Sequence, residues 1–87
     1  MRSLEEQLKK IISDIFNCEK KKIKLNSGPI KNDIPRWDSF GNLELILNVE
    51  KKLKIKFLSS EINKINNFEE LIKYSSIAQN RKKNLNK

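Results

Sequence analysis

Apolar residues come along this chain in bursts separated by polar stretches, and the spacing within each burst predicts its structure. Leu4, Leu8, Ile11, Ile12, Ile15 and Phe16 recur at helical intervals. They follow Ser3, with Glu6 three residues on, the spacing of a capping box, so the first helix is expected over residues 4 to 16. From Asn17 to Trp37 the rhythm stops. Gly28-Pro29 and Pro35 act as breakers, and Ile23, Leu25, Ile30 and Ile34 read as isolated apolar anchors of a long loop. Loops of that length in compact domains usually serve a function. Helical spacing resumes from Ser39 to Leu53. After Lys54-Ile55-Lys56-Phe57, residues Ser59-Ser60-Glu61-Ile62 suffice for a turn or two. Asn67-Phe68-Glu69-Glu70 repeats the capping-box spacing and opens a last helix, whose stripe of Phe68, Leu71, Ile72 and Ser75 ends near Ile77. The pattern predicts an all-α fold, a small bundle with its long loop between the first and second helices. It places a domain at residues 1–78 and a basic, disordered tail at 79–87, where little remains to bury.

The second helix is apolar on more than one side. Leu45, Ile46, Val49 and Leu53 form an ordinary core stripe. Phe40, Leu43 and Leu47 form another, roughly 140° away around the helix, flanked by Glu44. Either the bundle packs this helix on two sides, or the second stripe is an exposed docking face for partner proteins.

Length and composition narrow the functions open to the chain. Its 87 residues make one domain, which buries only ~60% of the unfolded surface, too little for a deep catalytic cleft. There is no histidine, and the single cysteine, Cys18, can form neither an internal disulfide nor a multi-cysteine metal site. Self-contained catalysis is not expected. The first residues, MRSLEEQLKK, place acids where a signal peptide needs an apolar core, and no apolar run approaches the ~20 residues of a membrane span, which points to the cytoplasm. The net charge of +8 raises nucleic-acid binding as an alternative. The excess is concentrated in residues 17–24 and 79–87, whereas residues 38–58 hold three acids and four lysines. The lysine runs do not interleave with Trp37 and Phe40, which argues against nucleic acid.

Candidate chemistry centres on Asp38-Ser39 at the start of the second helix. As a local pattern it is a helix cap, since both side chains accept hydrogen bonds from free N–H groups of a first turn. In context, WDSFGNLELILNVEKKLKIKF resembles the second helix of acyl and peptidyl carrier proteins, marked by Asp-Ser-Leu, an apolar helix, charged residues and a return to Ile/Phe. The order of elements along the whole chain is similar too, down to the Leu-Ile-x-Tyr segment of the last helix. Phe40 replaces the usual leucine, and Gly41 stands where many members have an acidic or polar residue.

The resemblance implies a four-helix bundle of the acyl-carrier-protein type, monomeric and not itself an enzyme. It implies 4′-phosphopantetheine attached to Ser39, with Asp38 beside it, and an acyl or aminoacyl cargo held as a thioester. Trp37, Phe40, Leu43, Glu44 and Leu47 would then contact partners: a phosphopantetheinyl transferase, an acyl- or aminoacyl-activating ligase, and an acyltransferase or synthase. Fatty-acid carriers are typically acidic, and this basic Trp-Asp-Ser variant looks more like stand-alone carriers of specialised pathways. The alternative is a basic helical nucleic-acid-binding domain, or a carrier-like interaction module that is never modified.

Overall fold

The computed structural model describes the backbone of residues 3–85 and the side chains of residues 3–82. Its α-helices are α1 (Leu4–Phe16), α2 (Ser39–Leu53), α3 (Ser59–Ile62) and α4 (Phe68–Leu85), with a 3-10 turn at Lys20–Lys22 inside the long loop. The described residues contain no strand, in agreement with the all-α expectation, and the first three helices keep the predicted limits. Local chemistry explains those limits. The Ser3 hydroxyl accepts from the Glu6 N–H at 3.2 Å and starts α1. Asn17 and Lys54 take left-handed conformations at the ends of α1 and α2, and their N–H groups close the last turns onto Ser13 and Glu50 carbonyls.

One core joins every element. Leu8, Ile12 and Phe16 of α1 meet Leu45, Ile46 and Val49 of α2 and Phe68 and Leu71 of α4, with Ile55, Phe57 and Ile65 packed between. Burial of these side chains drives folding, each contributing about 1.5–3 kcal/mol. Leu53, expected in the core stripe, is only partly buried.

The long loop is more ordered than its sequence suggests. Ile23 and Ile34 are anchors as expected, but Leu25 is 51% and Ile30 84% exposed. A polar residue holds the loop instead. Ser27 is fully buried; its hydroxyl donates to Asp33 Oδ2 at 2.7 Å and accepts from the Lys24 N–H at 2.8 Å. The Ser27 and Leu25 carbonyls then accept from the Phe68 and Glu69 N–H groups, both at 2.9 Å. Close approach at Gly28 makes this docking possible, since a Cβ there would stand 2.4 Å from the Asn66 carbonyl oxygen.

The expected tail at 79–87 is corrected as far as Leu85, because α4 continues to that residue; residues 86 and 87 lie outside the described residues. Distant partners hold the extension. Arg81 bonds Glu61 through both nitrogens, at 3.0 and 3.1 Å, and the Lys56 carbonyl at 2.8 Å. Lys82 donates to the Lys54 carbonyl. These contacts tie the end of α4 to the end of α2, across the domain boundary drawn from sequence at residue 78.

Candidate functional site at the start of α2

The start of α2 is shaped by residues just before it. Arg36 adopts a left-handed conformation (φ 74°), and the Trp37 N–H returns to the Ile34 carbonyl at 3.2 Å. This bend turns Trp37 inward. Its ring stacks on Phe16 with centroids 5.4 Å apart and planes 17° from parallel. Its indole N–H donates to Asn42 Oδ1 at 2.9 Å, and Asn42 Nδ2 donates to the Ile65 carbonyl at 2.7 Å. Trp37 is 1% exposed, which corrects its placement among the partner-contacting residues. A large ring with its one donor satisfied belongs inside. Trp37 sets the position of α2.

Gly41 acquires a reason in the same geometry. A Cβ there would lie 2.2 Å from the Arg36 carbonyl oxygen and 3.1 Å from the Phe16 ring. A larger side chain would not fit, because the bend at Arg36 occupies its space.

The cap and the candidate attachment residue are separate side chains. Asp38 is the cap: Oδ1 accepts from the Gly41 N–H at 2.8 Å, and its carbonyl accepts from the Asn42 N–H at 2.8 Å. Ser39, the first residue of the helix, is exposed, and its hydroxyl bonds to none of the described residues. The N–H groups of Ser39 and Phe40 likewise find no acceptor among them. A hydroxyl beside two open N–H groups at the positive end of a helix dipole can accommodate an anion on its oxygen. Beside it lies a cleft of about 290 Å³, with Pro29, Ile30, Leu43, Ile46 and Ile62 as apolar walls and Asn42, Asn63 and Asn66 as amides.

The bundle packs only one of the two stripes of α2. Leu45, Ile46 and Val49 are buried, whereas Phe40 is 80%, Leu43 46% and Leu47 53% exposed, with Glu44 exposed beside them. Sequence reasoning missed Asn42, which falls in the middle of the core stripe. A polar residue there needs buried partners, and that requirement was the available signal. Ser27 carried no such signal.

The other perturbed groups do not resemble catalytic ones. Burial pushes the half-buried Cys18 thiol up, Lys22 opposing and Asp33 adding to the shift, so it stays protonated. The Arg81 hydrogen bonds hold the Glu61 carboxyl below its ordinary value against the opposing effect of burial. Among the described residues no group of His, Cys, Asp and Glu could hold a metal ion, and no helix is long and apolar enough to cross a membrane.

A small four-helix bundle displaying one unpartnered serine at an open helix start has the form of a carrier domain. No family model matches the chain. It is, however, 34% identical to the acyl carrier protein of Buchnera aphidicola subsp. Schizaphis graminum (strain Sg) over 74 residues, covering 85% of this chain and 91% of that protein. The chain belongs to the acyl carrier protein family.

Proposed function

We propose that the chain holds acyl or aminoacyl cargo as a thioester on a 4′-phosphopantetheine arm joined to Ser39 by a phosphodiester. The observation that carries this reading is the exposed Ser39 hydroxyl beside the open N–H groups of Ser39 and Phe40. A phosphodiester on Ser39 Oγ would receive those donors and the favourable end of the dipole. The arm itself supplies the thiol that bears cargo, and the chain supplies a scaffold that displays it.

Attachment needs a separate transferase. Ser39 has no neighbouring base to activate it, so the transferase removes its proton while Oγ attacks a phosphorus of coenzyme A's pyrophosphate; the P–O bond breaks and the nucleotide bisphosphate leaves. Asp38 keeps one carboxylate oxygen out of its cap bond, placed to assist the transferase and its metal. Phe40, Leu43, Glu44 and Leu47 are the proposed contacts for the transferase, for an acyl- or aminoacyl-activating ligase and for an acyltransferase or synthase. The chain acts as a monomeric carrier in the cytoplasm and performs no chemistry of its own. Incubation with coenzyme A and a broad-specificity transferase should add the mass of one phosphopantetheinyl group to the wild type and nothing to Ser39→Ala. Modification persisting in Ser39→Ala would refute the site.

A further inference from the structure

The near-neutral charge of residues 38–58 conceals a strict order along α2. Asp38 and Glu44 stand at its start and in its first half, whereas Lys51, Lys52, Lys54 and Lys56, all exposed, stand in its last turn and just beyond it. The end of α4 adds Arg81 and Lys82, brought there by their bonds to the Lys56 and Lys54 carbonyls. Two carboxylates share this region, and both are engaged: Glu50 accepts from the Phe57 N–H at 2.8 Å, and Glu61 pairs with Arg81 at 3.0 Å. None of the four lysines forms an ion pair among the described residues.

The helix dipole accounts for lysines in the last turn of α2 but not for their alignment. Lys51 and Lys54 fall within about 40° of Leu47 around the helix axis, so they prolong the exposed stripe of Phe40, Leu43 and Leu47. They stand about 18 to 22 Å along the axis from Ser39. A body seated on that stripe meets apolar side chains and Glu44 near the attachment serine, then a rim of net positive charge.

Resting on the carrier reading above, we propose that the enzymes serving this chain present a cluster of carboxylates to the rim formed by Lys51, Lys54, Lys56 and Lys82. Charge complementarity selects an acidic protein surface, and continuity with the apolar stripe selects a folded protein over nucleic acid, as no aromatic of α2 lies among these lysines. The rim steers such partners and fixes which way α2 lies across them.

The test is loading of the chain by the source organism's own phosphopantetheinyl transferase, with coenzyme A, at low and high salt. Reversal in Lys51→Glu/Lys54→Glu should raise KM by about tenfold at low salt with kcat nearly unchanged, and the gap should close at high salt. The neutral pair Lys51→Gln/Lys54→Gln should fall between, which guards against a folding defect in the reversal variant. Lys20→Glu/Lys24→Glu changes net charge equally outside the stripe and should leave KM within about twofold. An equal rise in that control, an unchanged or lowered KM in the reversal pair, or rim-dependent retention on DNA or anionic vesicles instead would overturn the acidic partner. Failure of the wild type to gain mass would instead refute the carrier reading itself.

Discussion

α2 and α4 begin with the same cap and end up chemically opposite. At α2 Asp38 Oδ1 accepts from the Gly41 N–H at 2.8 Å; at α4 Asn67 Oδ1 accepts from the Glu70 N–H at 2.8 Å. The two N–H groups just inside each cap make the difference. At α4 those of Phe68 and Glu69 are bonded to carbonyls of Ser27 and Leu25, so the end is sealed by the loop. At α2 those of Ser39 and Phe40 are left open beside an exposed hydroxyl. A helix start becomes a binding position only when the rest of the fold leaves it uncovered, which a capping residue alone does not reveal.

The open end requires that α2 be held by its inner face. Ile46→Ala should therefore cost about 2–5 kcal/mol, whereas Leu47→Ala on the exposed stripe should stay within about 0.5 kcal/mol and slow loading instead. Equal losses in thermal unfolding would mean that the outer stripe is also core. Breaking the sealed end comes next. Gly28→Val drives a side chain into the Asn66 backbone and should cost about 1–3 kcal/mol, with faster amide exchange at Phe68 and Glu69. The caps give the sharpest contrast: Asn67→Ala and Asp38→Ala should each cost about 0.5–2 kcal/mol, but only Asp38→Ala should lower the loading rate.

Acid probes the other end of α4. Glu61 titrates lower folded than unfolded, so its bond with Arg81 contributes stability above the ordinary carboxylate range that is lost as pH falls through the depressed value. Arg81→Met should flatten that acid dependence, read as a smaller drop in melting temperature between neutral and acid pH. The smallest expected change is modification itself. A phosphodiester at the open end of α2 should stabilise the fold by about 0.3–1 kcal/mol, read as a slightly higher melting temperature of the loaded protein.

Periodicity made α1 and α2 legible, because apolar spacing and caps are local facts, and α3 was legible only as a segment long enough for a turn. The same spacing separated Ile46 from Leu47, and a family likeness singled out Ser39 within a pattern that physics alone reads as a cap. What escaped was non-local. The continuation of α4 depends on Arg81 and Lys82 reaching residues more than twenty positions earlier. Inside an aperiodic loop, nothing distinguishes buried Ile34 from exposed Ile30 until Ser27 and Gly28 dock on α4. Trp37, which the carrier resemblance places among the partner contacts, instead finds its partners in Phe16 and Asn42, on two different helices.

Trp37 is the chain's one tryptophan, so the protein has a built-in optical reporter two residues from the proposed attachment point. Shielded by Phe16 and bonded to Asn42, the indole should emit at short wavelength while folded and shift to the red on unfolding. A partner seated on Phe40, Leu43 and Leu47 touches the opposite side of the helix and should leave that emission colour in place. A red shift during loading would therefore mean that the helix had been levered off its stack, and an unshifted spectrum that the scaffold stays rigid while cargo is exchanged.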